Sequence, residues 1–271
     1  MARTLILGAS LFSVSHPFSE QIHAYATDVL SYIPSDIYKA TGCSVETLRC
    51  IQSISRLVSW KTSQLQAGSL SMMQLFEKVQ EIEKALNTER ARIETALQSL
   101  SGLNPSACPA FRNDRTIHCG IGQAFNMATN CSWHSIVALV TCSLYVYAAK
   151  LFLYALMSGV NPKLPETAET IAASSKALQH LHSIKAPVAM EITGPLLIIA
   201  VSIDRSSQSG QYLSGWLASL LQEWSQTIPR FETVLATIRK WWSYQDSDTS
   251  HDISLDVFLA EITKLPVLLF V

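Results

Sequence analysis

The chain has 271 residues, of which 48% are hydrophobic and 15% are charged, and its 20 basic and 21 acidic residues leave a net charge of −1. This length and apolar fraction suffice for a large buried core, whereas the balanced charge argues against a global field that would attract nucleic acid or anionic lipid. The six cysteines form no C-x-x-C pair, which excludes the usual zinc ribbons and redox pairs.

The first 18 residues carry an arginine followed by a short, uneven apolar run, which is a weak match to a signal peptide. We interpret residues 1–18 as an N-terminal extension and residues 19–271 as one helical domain, because no Pro- or Gly-rich linker divides the chain. Unpaired cysteines are typical of intracellular proteins, so a nuclear or cytoplasmic location is expected.

Two amphipathic patterns follow in the first part of the domain. Ser44 with Thr47 after it suits a helix N-terminus, and the apolar spacing beyond it predicts a helix that ends near Lys61. Residues 70–100 predict a long helix whose apolar stripe is broken at Glu89. The break favours a helix packed on a core over the alternative, a dimeric coiled coil.

Residues 134–157, HSIVALVTCSLYVYAAKLFLYALM, are long and apolar enough for either a membrane span or a core helix. Lys150 lies within this stretch, and a central lysine costs about 3 kcal/mol on membrane-insertion scales. A helix packed inside a protein also tolerates the small polar residues of this stretch. A buried helix is therefore expected, and no membrane span.

The remaining sequence predicts further helices, among them a buried one over the very apolar segment from Gly194 to Ile203. Others are expected over residues 165–184, from Gln211 to Leu221 and around Trp241. Few breakers and few alternating β-branched runs argue against a sandwich or a barrel. The expected fold is all-α, a single large helical domain with an apolar internal pocket.

Common motifs for phosphate binding, nucleophilic catalysis and zinc proteolysis are missing from the sequence. Cys131 and His134 form half of a zinc site without a matching close pair, and the acidic loop 246–252 lacks the glycine and closing glutamate of a calcium loop. His180 and His182 fall on different faces of a helix, as surface residues would. No metal or other cofactor is expected.

Two charged residues, Lys150 and Glu191, are embedded in apolar sequence. A buried charge is costly unless it reaches water, pairs with an opposite charge or serves a polar ligand. Because small-molecule sites combine apolar walls with a few polar groups, we single out a set of candidate ligand contacts. They are Tyr145, Phe152, Glu191, Leu197 and Trp216.

Three segments carry a resemblance to a known family: TGCSVETLRCIQSISRLVSW, YVYAAKLFLYALMSGV and ITGPLLIIAVSIDRSSQSGQYLSGWLASL. With the later LATIRKWW, they resemble the C-terminal regulatory domain of fungal zinc-cluster transcription factors, more narrowly the branch that includes the sterol-sensing regulators. The positions that align with the family pattern are Gly42, Leu48, Ile51 and Ile54, then Tyr145 to Tyr154, then Gly194, Pro195, Leu196, Ala200, Val201 and Arg205. The sequence departs from the family pattern at Gly194, Val201 and Lys150, where the family has Trp, Gly and an aliphatic residue.

The resemblance implies a ligand-sensing or protein-interaction domain that binds an apolar molecule, either lipid-like or a secondary metabolite. In the family, such a domain controls activation by changing conformation or location when its ligand binds. The family's DNA-binding cluster needs close C-x-x-C pairs, which this sequence lacks, so no direct contact with nucleic acid is expected. A protein partner or a homodimer would fit the same role.

The alternative is a stand-alone enzyme of fungal secondary metabolism, a cyclase or isomerase that folds an apolar substrate in the same pocket. Catalysis would then come from the shape of the pocket together with one acid or base. The candidate residues for that role are Glu191, Lys150, His23, Asp28 and Asp204.

Overall fold

The computed structural model describes residues 43–100, 132–159, 161–183 and 192–247, and within them the chain is all-α, as predicted. Its helices are α1 (Val45–Gln66), α2 (Met72–Leu100), α3 (Ser132–Ser158), α4 (Pro165–Ser183), α5 (Thr193–Val201), α6 (Gln208–Ser225) and α7 (Arg230–Ser247). The central element is α3, which contacts α1, α2, α4 and α5, and α7 packs on α5 and α6.

Helix α1 begins where the sequence predicts. The Ser44 side chain accepts a hydrogen bond from the Thr47 backbone N–H at 3.1 Å, which supplies one of the donors at the helix start with a partner. The predicted end near Lys61 is wrong, because α1 continues to Gln66. No breaker intervenes before Gly68, whose φ of 64° turns the chain toward α2.

Helix α2 buries the predicted apolar stripe against the core, and Glu89 is buried within that stripe at 3% exposure. Its carboxylate receives two hydrogen bonds from Arg92, at 2.7 and 2.8 Å, so the break in the apolar pattern does not expose this face to solvent. The stripe residues that are buried are Leu75, Val79, Ile82, Leu86 and Ile93.

The apolar stretch that resembles a membrane span forms helix α3. Residues 136–158 pass the length and composition test for such a span, yet 89% of the tested window is buried against the rest of the chain. A helix surrounded by packed neighbours is apolar on all sides for that reason alone. The structure therefore places this stretch in the core, as expected.

Helix α5 is short and almost wholly buried, and side chains of α7 complete the hydrogen bonding of its C-terminal end. The Trp242 indole N–H donates to the Ala200 carbonyl at 2.9 Å, and the Trp241 indole N–H donates to the Val201 carbonyl at 3.3 Å. Buried carbonyls at a helix end need such partners, because no water reaches them. The contact fixes α7 across the end of α5.

Candidate functional site

Lys150, the buried charge predicted within α3, lies at the interface with α2 and is 6% exposed. Its ammonium donates a hydrogen bond to the Asn87 Oδ1 at 3.0 Å and lies 5.7 Å from the centre of the Tyr154 ring. Burial lowers the pKa of Lys150, and the nearby Arg90 lowers it further. Among the described residues, the Lys150 ammonium therefore has a neutral hydrogen-bond partner and no direct ion pair.

Tyr154 extends this polar interface. Its hydroxyl donates to a Glu83 carboxylate oxygen at 2.7 Å, and burial together with that carboxylate raises the pKa of Tyr154. We call Glu83, Asn87, Lys150 and Tyr154 the α2–α3 polar seam. An open depression of about 760 Å³ adjoins it, lined by Gln80, Glu83, Lys84, Asn87, Thr88 and Ala91. Most of these side chains are polar, so this depression does not resemble the expected apolar pocket.

We expect Lys150→Met to change the free energy of unfolding by less than about 1 kcal/mol, because a buried charge is often replaced by an apolar side chain of similar length without loss. Asn87 is exposed and can bond to water once the ammonium is gone. Urea unfolding followed by circular dichroism measures the change. A loss of more than about 2 kcal/mol would show that the fold depends on the charge.

The other predicted ligand contacts do not converge with Lys150. Tyr145, Phe152 and Leu197 are buried, at 4%, 5% and 2% exposure, and Phe152 and Leu197 belong to one apolar core. Tyr145 and Phe152 are seven residues apart and so share a face of α3, whereas the position of Lys150 is rotated by about 140° from that of Tyr145. The helix thus separates the predicted apolar contacts from the predicted charge.

The remaining candidates are distributed as follows. The Asp204 carboxylate accepts hydrogen bonds from the Ser206 backbone N–H at 3.1 Å and its hydroxyl at 2.6 Å, so it stabilises the turn between α5 and α6. Trp216 is half-buried on α6 and packs against the core. Glu191, His23 and Asp28 lie outside the described residues.

A groove between α6 and α7, which the sequence did not reveal, has a volume of about 410 Å³. We call it the α6–α7 groove; its lining residues are Arg205, Gln211, Ser214, Gly215, Ala218, Arg239, Trp242, Ser243 and Asp246. Trp216, a predicted ligand contact, does not line this groove, although its neighbour Gly215 does. The only sequence signal for the site is Arg205, which matches the family pattern.

Arg205 organises one wall of the α6–α7 groove. Its guanidinium forms a bidentate ion pair with the Asp246 carboxylate, at 2.7 and 3.1 Å, and donates to the Ser214 hydroxyl at 3.1 Å. It also lies over the Trp242 ring, 4.9 Å from the ring centre. Such a stacked, paired guanidinium is held in one orientation and offers a flat surface with a positive edge.

The opposite side of the groove is open. A Cβ added at Gly215 would have no atom within 4 Å of it apart from the adjoining residues and backbone of α6, so this glycine leaves free space on the α6 side. Arg239 is exposed and lines the same groove. The α6–α7 groove therefore combines an aromatic surface, a small-residue wall and two guanidinium groups, that of Arg205 paired with Asp246 and that of Arg239 accessible to solvent.

Metal-ligand chemistry finds no support in the part of the chain that the structure covers. No group of three or more His, Cys, Asp or Glu side chains there could hold a metal ion. His180 and His182 are exposed on α4, which confirms that they are surface residues. The prediction that Asp246 belongs to an acidic loop is wrong, because this residue lies in α7 and is the partner of Arg205.

Comparison with known proteins gives one match. A family model described as "Fungal specific transcription factor domain" matches residues 6–260. No curated protein and no solved structure matches the chain. The matched range includes all of the helices α1 to α7.

Proposed function

Since this chain belongs to the fungal-specific transcription factor domain family, as the resemblance in its sequence predicts, we propose that it is a regulatory domain that senses a small molecule and does not itself bind DNA. The net charge of −1 supports the second part, because DNA binding relies on a surplus of Lys and Arg that neutralises phosphates. A nuclear or cytoplasmic location accords with this role.

The observation that supports ligand binding is the composition of the α6–α7 groove. Trp242, which is 4% exposed, and Ala218 form the apolar part of the lining beside the open position at Gly215. Arg239 offers a solvent-accessible guanidinium group that suits a carboxylate or another acidic group, whereas that of Arg205 is paired with Asp246. The proposed ligand is therefore an apolar, lipid-like molecule or secondary metabolite with a flat portion and one acidic group.

A sensing role also requires that binding alter the domain. Trp242 both lines the groove and donates to Ala200 at the end of α5, which in turn packs on α3. A ligand that shifts the Trp242 ring would therefore change a buried contact of the central helices. A response follows only when the ligand binds one of the two arrangements more tightly than the other.

We expect native mass spectrometry of the full chain to detect a bound small molecule, either after purification or after incubation with aromatic and fatty carboxylic acids. Gly215→Leu is expected to weaken that binding at least tenfold, because its side chain fills the groove. Gly215→Ala, whose methyl group meets open space, is the matched control and should bind as the original chain does.

Two outcomes would overturn or redirect the proposal. Equal binding by the Gly215→Leu and Gly215→Ala variants would exclude the α6–α7 groove as the site. A chemically converted molecule in the same spectra would favour the alternative, an enzyme of secondary metabolism. Protein partners and homodimers remain predictions from the family.

A further inference from the structure

Two cysteines far apart in the sequence meet inside the fold. Cys43 precedes the N-terminal cap of α1 and Cys142 lies in the middle of α3, and the two are 0% and 1% exposed. Their side chains are hydrogen-bonded to each other. The Ser44 backbone N–H also donates to the Cys142 sulfur at 3.4 Å, and the Thr47 hydroxyl lies 3.8 Å from it.

The surroundings give the two thiols different acidities. The hydrogen bond from Cys43, with further ones from Ser44 and Thr47, outweighs burial and lowers the pKa of Cys142 to about 7. Burial raises the pKa of Cys43 well above its usual range, and negative charge on Cys142 and Glu89 raises it further. Near neutral pH, about half of the Cys142 thiol is therefore ionised, whereas Cys43 keeps its proton.

The charged groups facing the pair come from α1 and α2. Although burial alone would raise it, hydrogen bonds from Arg92 and Ser44 hold the pKa of Glu89 below its usual value. Arg92, paired with Glu89 at 2.7 Å, interacts with Cys142 and Glu46 as well. The charged groups around the two cysteines are thus the carboxylates of Glu46 and Glu89 and the guanidinium of Arg92. None of the residues that line the α6–α7 groove is among them.

We propose that Cys43 and Cys142 form a dithiol that hydrogen peroxide oxidises to a disulfide, which joins the start of α1 to the middle of α3. The Cys142 thiolate attacks a peroxide oxygen; the O–O bond breaks, Cys142 becomes a sulfenic acid, and hydroxide leaves and takes up a proton to become water. Cys43 then attacks the Cys142 sulfur, the S–S bond forms, the S–O bond breaks and a second water leaves.

The reaction needs no oxidant other than the peroxide and no reductant other than the two thiols. The two thiols lose two electrons and two protons, and one hydrogen peroxide is reduced to two waters. Because both sulfurs are buried, the peroxide must reach them through small local motions that leave the hydrogen bonds of Ser44 and Thr47 to Cys142 in place. A small oxidant is therefore favoured over bulky disulfides, and the reaction is independent of the proposed ligand.

The test exposes the full chain to hydrogen peroxide, alkylates the remaining thiols under denaturing conditions and identifies linked peptides by mass spectrometry. A peptide that joins Cys43 to Cys142 is the expected product. Cys43→Ser should remove it and leave Cys142 as a sulfenic acid that a dimedone probe traps. Cys50→Ser is the control, because burial raises the pKa of this third thiol to about 11 and its loss should leave the product unchanged.

The unmodified chain provides a second readout that needs no variant. With a pKa of about 7 for Cys142, the oxidation rate should rise roughly tenfold from pH 6 to pH 8 and then level off. A rate that keeps rising to pH 9 would indicate an ordinary thiol. Either that profile, or a main product that links Cys142 to a cysteine other than Cys43, would overturn the proposal.

Discussion

Phe231→Ala is expected to lower the free energy of unfolding by about 3–5 kcal/mol. Phe231 is 0% exposed, and its ring packs against that of Trp224 with centres 5.4 Å apart. Its removal would leave a cavity in tightly packed surroundings that relax only in part. Urea or thermal unfolding followed by circular dichroism measures the loss.

The control for this substitution is Tyr212→Ala on α6. Tyr212 is an aromatic residue that is 75% exposed, so its truncation is expected to change the free energy of unfolding by no more than about 0.5 kcal/mol. Similar losses for the two variants would contradict the burial of Phe231 at the junction of α6 and α7.

Gly210→Ala is expected to destabilise the fold by about 1–3 kcal/mol or more, although alanine is ordinarily the better helix former. A Cβ at this position would lie 1.8 Å from the Asp204 carbonyl oxygen and 2.6 Å from the carbonyl carbon. These are backbone atoms, so the turn before α6 would have to move. That turn also positions Ser207, whose hydroxyl accepts a hydrogen bond from the Gly210 N–H at 3.0 Å.

Gly215→Ala, five residues further along α6, should have the opposite effect. Outside the adjoining residues and backbone of α6, no atom lies within 4 Å of its added methyl group, so only the gain in helix propensity remains, about 0.5–1 kcal/mol. Measuring both variants by the same unfolding assay separates close packing from helix propensity. A stabilising Gly210→Ala would show that the turn is placed differently.

The elements that local rules govern were predictable from the sequence. The hydroxyl of Ser44 was enough to predict the start of α1, since a cap depends on residues within one turn. The buried face of α4 also follows its periodicity, with Ile171, Ser174, Leu178 and Leu181 all turned inward. Where the sequence carries no breaker or cap, as after Lys61, the predicted end was wrong.

The features that depend on contacts between distant segments were not predictable. Lys150 could be identified as a buried charge, but its partner Asn87 is 63 residues away and on another helix. The hydrogen bond between Cys43 and Cys142 likewise spans the whole of α2. The α6–α7 groove depends on Gly215 and on the side chains of α7, and no single segment contains that pattern.

The hydrogen bonds from α7 to the C-terminal end of α5 have a consequence for folding during synthesis. The carbonyls of Ala200 and Val201 receive their donors from Trp242 and Trp241, which are translated about 40 residues later. Until those tryptophans leave the ribosome, the apolar segment 193–201 lacks their side-chain donors and the cover that α7 provides. A nascent chain that ends before Trp241 should consequently remain bound to chaperones, whereas one that extends through α7 can be released.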